Sequence, residues 1–143
     1  MEAHMDTVDQ DTSIKDLIET SRTIAIVGLS PDADKPSNGV ARYLKERGYR
    51  IIPVNPAQDE ILGEKSYKSL RDIPEKVDIV DIFIRPDKVV PLVEDALFIR
   101  PRAIWLQLGI KNDEAKEMAG RAGIAFIQDR CVKQEHTRLV SKP

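Results

Sequence analysis

The 143-residue chain contains one cysteine, Cys131, so no intramolecular disulfide can form. That usage suits a reducing cytoplasm, the expected location. No apolar run approaches the roughly 18–20 residues of a membrane span, so no membrane association is expected. A basic excess is also missing: 22 Lys and Arg stand against 24 Asp and Glu, for a formal net charge of -2. Nucleic acid is therefore not an expected partner. The first twelve residues are polar and acidic with no apolar core segment, so a secretory signal is not expected. Met1–Met5 (MEAHM) reads as an expression leader with Met5 as the native start. Residues 1–12 are expected to be this leader and a disordered N-terminus, and residues 13–143 a single domain. Histidine is scarce, at two residues, of which His4 falls in the leader. His136 near the other end is expected to be structural or exposed rather than catalytic. One Cys, one His and Glu135 fit no zinc spacing, so no metal site is expected. Asp78 and Asp81 read as strand residues facing a neighbour, not as a paired acid/base site. No catalytic set emerges, and no enzymatic activity is expected.

What the chain does have is 41% apolar and 32% charged residues, an ordinary soluble balance, and a regular alternation of strand and helix patterns. Ser13–Ser21 reads as a lead-in helix with Ser13 as N-cap. Thr23–Gly28 (TIAIVG) is short, apolar and β-branched, as expected of a strand buried on both faces of a parallel sheet. A helix is predicted over Ser37–Arg47, where Val40, Tyr43 and Leu44 share a face and Gly48 follows the end. Tyr49–Val54 is the second strand, and Glu60–Tyr67 is a candidate short strand. Ser69–Ile73 reads as a helical turn, and Asp78–Ile84 (DIVDIFI) as another buried strand. The helix opening at Pro86 or Asp87 places Val89, Leu92, Val93, Ala96 and Leu97 on one stripe. Ala103–Leu108 is a strand, Asn112 caps the next helix, and Gly123 ends it. Ile124–Gln128 is the last strand, with a short helix from about Cys131. This alternation predicts an α/β, Rossmann-like doubly wound parallel sheet of five to six strands in three layers, α/β/α. Its ligand cleft should lie at the carboxyl ends of the strands, at the topological switch point.

The loop after the first strand reads GLSPDADKPSNG. Gly28 lets the backbone turn close to a ligand, and the helix start at Ser37 offers free N–H groups to a diphosphate. Ser30 and Ser37 add hydroxyls, and Lys35 a point charge. The plain alternative is a solvated loop with a surface lysine and a helix cap. The dinucleotide pattern G-x-G-x-x-G is absent, because Ser30 holds the second glycine position. Nor is this a Walker A loop, since no glycine precedes Lys35. At the end of strand two, where NAD enzymes usually place Asp or Glu for the ribose diol, stand Asn55 and Pro56. NAD(P) is disfavoured on both counts. Arg85 can pair with a phosphate or with a surface carboxylate. Gln107, with Gly109 at the end of AIWLQLG, can bond a ligand amide or satisfy neighbouring backbone.

Taken in order, GLS, SNGV, GYRIIPVNP, ILG, VDIVDIF followed by RP, AIWLQLG and DRC make the chain resemble the small stand-alone CoA-binding domain proteins. These are similar to the CoA-binding domain of the succinyl-CoA synthetase α subunit, and the likeness runs over roughly residues 14–139. The resemblance implies coenzyme A, or an acyl-CoA, as ligand. It puts Gly28, Ser30, Lys35, Ser37 and the adjoining Asn38 near phosphate. Val54, Asn55 and Pro56 come near the adenosine, and Ile84, Arg85 and Pro86 beside the pantetheine arm, with Gln107 and Gly109 on the next strand end. The synthetase reaction also needs a phosphorylated histidine on a second domain, so binding is expected here without that chemistry. The rival readings are an NAD(P)-dependent enzyme on the same fold, and a regulatory module that pairs with a copy of itself or another protein. CoA ends in a thiol, so exchange with Cys131 is open, with a buried structural cysteine as the alternative.

Overall fold

The computed structural model describes residues 7–140. Its centre is a five-stranded, fully parallel sheet in the order β2-β1-β5-β6-β7. The strands are β1 (Thr23–Val27), β2 (Arg50–Val54), β5 (Ile79–Ile82), β6 (Ala103–Leu106) and β7 (Ala125–Ile127). The candidate strand over Glu60–Tyr67 does not join this sheet, which settles its size at five. It folds instead as an antiparallel hairpin, β3 (Glu60–Ile61) and β4 (Glu64–Lys65). The reversal falls on Leu62 and Gly63, both with positive φ, as a two-residue hairpin turn demands. Tyr67 then bridges back to Val54 beside the free edge of β2.

Five helices cover the sheet: α1 (Thr7–Thr20), α2 (Pro36–Glu46), α3 (Val89–Ile99), α4 (Asp113–Arg121) and α5 (Val132–Leu139). Alternation along each strand divides the core between two faces. Ala25, Val27, Ile52, Val80, Ile82, Ile104 and Leu106 meet Val93 and Ala96 of α3 and Ala115 and Ala119 of α4. On the other face Ile24, Ile26, Ile51, Ile79 and Trp105 meet Ile14, Leu17 and Ile18 of α1, Val40 and Leu44 of α2, and Val132 of α5. This is the three-layer α/β/α architecture of a Rossmann-like fold.

Local signals explain most boundaries. Asn112 caps α4 by accepting the Ala115 N–H at 2.8 Å. Pro91 sits in the first turn of α3, after a 3-10 turn at Pro86–Lys88. Two boundaries differ from expectation. Helix α1 starts at Thr7, so Ser13 lies inside it and caps nothing. The helix also takes in residues 7–12, which the composition had grouped with a disordered end. An ion pair from Asp11 to Arg138 at 2.7 Å ties that first stretch to α5. The expected leader, Met1–Met5, lies outside the described residues. Helix α2 opens at Pro36 with Lys35 as the capping position, one residue ahead of Ser37, because proline is well suited to a first helical turn.

Candidate functional site

The chain runs from β1 outward to β2, then returns across β1 to place β5 on its other side. The crossovers on the two sides of β1 diverge there, and in open α/β sheets the ligand crevice lies at such a switch point, here the carboxyl ends of β1 and β5. Gly28 ends β1 at that point with φ of +82°. A Cβ on Gly28 would lie 2.3 Å from the Phe83 carbonyl oxygen, so only glycine fits between the two strand ends. Its N–H donates to the Val54 carbonyl at 3.0 Å, tying the turn to the end of β2.

The polar residues of the following loop hold one another. The Ser30 N–H donates to Ser37 Oγ at 3.0 Å, and the Asp32 N–H to Ser30 Oγ at 3.1 Å. Asn38 is buried; its amide donates to the Ser30 carbonyl at 2.9 Å and its Oδ1 accepts from Arg42 Nε at 2.9 Å. Both hydroxyl oxygens thus act as acceptors, which leaves their O–H protons to donate elsewhere. Lys35 is exposed and makes no ion pair among the described residues. At the end of β2, Val54 is buried and Pro56 exposed. Asn55 turns inward, donating to the Leu29 carbonyl at 3.0 Å and accepting the Ala57 N–H at 2.8 Å. It latches the first loop to the second.

Across the crevice, Ile84 packs beside Gly28. Arg85 is exposed and pairs with Asp87 at 3.2 Å, the surface-carboxylate alternative. The Pro86 carbonyl accepts from Asn112 Nδ2 at 3.2 Å. At the next strand end Gly109 has φ of +86° and donates its N–H to Asp129 Oδ1 at 2.7 Å. Gln107 is buried, and its amide donates to Asp81 Oδ1 at 2.6 Å. It serves a neighbouring side chain rather than backbone.

Asp81 is the site feature that strand periodicity did not expose. It has 0% of its surface accessible, and its Oδ2 has no hydrogen-bond partner among the described residues. Burial pushes the carboxyl up to about 7, against a smaller opposing effect of the Gln107 bond. A signal was available, since an acidic residue inside an otherwise apolar buried strand must carry a large desolvation cost. Asp78 behaves differently. It precedes β5, and its Oδ2 accepts the N–H groups of Arg22 and Thr23 at 2.8 and 3.0 Å, pinning the start of β1.

The sequence-predicted residues from Gly28 to Pro86 come from the three loops that follow β1, β2 and β5, and Gln107 and Gly109 stand one strand further along, at the end of β6. Two concave regions lie elsewhere. One of about 680 Å³ runs between α1, α4 and the β7 edge. The other, of about 350 Å³, is bordered by Leu108, Lys111, Arg130, Cys131 and Glu135 beyond the ends of β6 and β7. Cys131 is half-buried there at the N-cap position of α5, where its side chain makes no capping bond. His136 is buried in edge-on contact with Tyr43 and Tyr49, and its Nδ1 lies 2.8 Å from the Tyr43 hydroxyl. Burial lowers its pKa, with Arg47 adding to the effect. Among the described residues no group of three or more Cys, His, Asp or Glu is placed to hold a metal ion. No described helix is long and apolar enough to cross a membrane.

Sheet order and layering define an α/β protein of the Rossmann-like class, with its topological switch point between β1 and β5. Residues 22–137 match the family model described as "CoA binding domain", and the chain belongs to that family. It is 39% identical over 123 residues to the protein YneT of Bacillus subtilis (strain 168), covering 86% of this chain and 91% of that one. A solved structure described as a hypothetical protein from Pyrococcus horikoshii OT3 superimposes with a TM-score of 0.91 at 37% identity, covering 99% of this chain and 100% of that one. The ADP-forming acetate–CoA ligase of Methanocaldococcus jannaschii is 29% identical over 131 residues. That match takes in 85% of this chain but only 18% of the ligase.

Proposed function

We propose that the chain binds coenzyme A, or an acyl-CoA, across the β1–β5 switch point and carries out no chemistry of its own. The observation that carries this is the glycine-only contact of Gly28 with Phe83. It brings two strand ends together beneath the α2 N-terminus, with Lys35 on one side and Arg85 on the other. A diphosphate on that rim meets the positive end of the α2 dipole and two cations, while the Asn38 and Gly39 N–H groups stay on the Lys35 carbonyl. Ser30 and Ser37 support it with hydroxyl protons, while Asn38 and Asn55 hold the loops that frame it. The adenosine lies along Val54, Asn55 and Pro56. The pantetheine crosses Ile84, Arg85 and Pro86 toward Gln107 and Gly109. We place the protein in the cytoplasm, with a second copy of itself or another protein as its macromolecular partner. The ligase relatives' reaction is not extended to this chain, which spans a small fraction of their length.

Two experiments test the reading. Mass spectrometry of protein denatured after native purification should release a CoA species. Calorimetric titration should show CoA binding more tightly than NAD or NADP, because Asn55 is committed to Leu29 and Ala57 and offers no carboxylate to a ribose diol. Tighter binding of NAD overturns the assignment.

A further inference from the structure

Gln107 is the first residue beyond β6, and Asp81 lies level with Trp105, two residues earlier on the same face. The Gln107 side chain therefore reaches back to Asp81, from a residue that itself stands at the carboxyl end of the sheet. Asp81 is flanked in register by Ile26 of β1 and Trp105 of β6. Neither can serve its free oxygen, since the Trp105 indole N–H is given to the Arg130 carbonyl at 2.8 Å. The titratable groups on the covering helices are engaged elsewhere. Glu135 is held by Arg130 and Arg138, and His136 faces Tyr43. Cys131 packs against the core without a side-chain capping bond, Arg42 and Lys45 of α2 are held at Asn38 and Glu64, and α1 contributes the apolar Ile14, Leu17 and Ile18. Among the described residues no cation pairs with Asp81.

The chemistry of the pair then has two states. An ionised carboxylate only accepts, so Gln107 must turn its NH₂ to Asp81 and its carbonyl toward the cleft. A protonated carboxyl can donate to the Gln107 carbonyl, which turns the NH₂ toward the cleft. The exchange needs only a rotation of the terminal amide. We propose that Asp81 and Gln107 form a proton-coupled switch that decides whether the end of β6 presents a hydrogen-bond acceptor or a donor to the cleft. The complete burial of Asp81 and its unpartnered Oδ2 are what suit it to gain and lose a proton in the physiological range. The ligand that reads the switch rests on the CoA assignment; the switch itself does not.

The test begins with ligand-free, isotope-labelled protein followed by NMR from pH 4 to 9. The Asp81 carboxyl carbon and the Gln107 side-chain amide should titrate together with one midpoint near neutrality. In Asp81→Asn the Gln107 amide should show no such titration. An Asp81 carboxyl that titrates below pH 5 overturns the proposal, as does a Gln107 amide that ignores the Asp81 transition. These wild-type signals decide the matter even if Asp81→Asn folds poorly. Calorimetric titration with CoA at pH 6 and pH 8 then asks whether the cleft reads the switch. Wild-type affinity should change severalfold more than that of Asp81→Asn, a difference that cancels the titration of CoA's own phosphate. Equal change in both proteins overturns the link to the ligand. If CoA fails to bind either protein, the CoA assignment falls and the NMR result stands.

Discussion

The loop after β1 and the loop after β5 meet at the switch point, and they are held in opposite ways. After β1, side chains do the holding: Ser37 and Asn38 both bond Ser30, and Asn55 reaches over from β2 to Leu29. After β5, Arg85 stands in solvent against Asp87, an exposed pair of the kind that adds little to stability. One side of the switch point is a cradle held by side chains, and the other carries an exposed charge at a strand end. Residues of the first kind should matter to folding, and exposed cations on either side to binding alone.

Gly28→Ala should produce the largest effect. The positive φ and the Cβ placed against the Phe83 carbonyl force β1 and β5 apart. A loss of about 2–4 kcal/mol is expected from strain and overpacking together, read by urea denaturation. A near-neutral result would show that the strand ends are not in firm contact.

Asp81→Asn comes next. The folded-state pKa of Asp81, about 7, lies above its unfolded value near 3.8, so the folded state binds the extra proton. The stability this provides is complete below the unfolded value and is lost as pH rises through about 7. Wild-type stability, measured by denaturation across pH 4 to 8, should carry a falling contribution that Asp81→Asn removes. Parallel slopes for the two proteins would show that Asp81 does not titrate there.

Asn38→Ala tests the cradle itself. It removes the donor to the half-buried Ser30 carbonyl and the acceptor of the Arg42 Nε–H, at an expected cost of about 1–3 kcal/mol. A CoA affinity that falls in step with stability would confirm the side-chain-held cradle. Unchanged stability would remove the contrast between the two loops.

Lys35→Ala and Arg85→Ala should have the smallest effect on folding, within about 0.5 kcal/mol of wild type for these surface positions. Their effect should appear in calorimetric titration with CoA, as a roughly tenfold weakening for a well-ordered charge-assisted contact. For Lys35, comparison with dephospho-CoA locates the contact. A smaller loss with that ligand places the charge on the 3′-phosphate, and an equal loss places it on the diphosphate. No loss with either makes Lys35 a surface residue.

Periodicity and punctuation were enough to read most elements. Apolar β-branched runs marked the five sheet strands, and Asn112, Gly48 and Gly123 marked helix ends, because those signals act within one or two turns of chain. They missed the hairpin at Glu60–Lys65, where a short polar segment pairs with itself instead of adding to the sheet. Ser13 misled for a related reason: a capping residue works only if the chain before it leaves the helix, and here α1 continues back to Thr7.

The loops that form the crevice followed from sequence too, since alternating strands and helices put them at one end of a parallel sheet whatever the side chains do. What each polar residue does there was decided only by tertiary structure. Asn55 and Leu29 are neighbours because β1 and β2 lie side by side, and Asp81 meets Gln107 because β5 and β6 do. Hydrogen bonds act over about 3 Å, so a partner 26 residues away along the chain leaves no mark on local composition. The same holds for the burial of Asp81. Its residue type is plain in the sequence, but the apolar layers that deprive it of water and cations exist only once both faces of the sheet are covered.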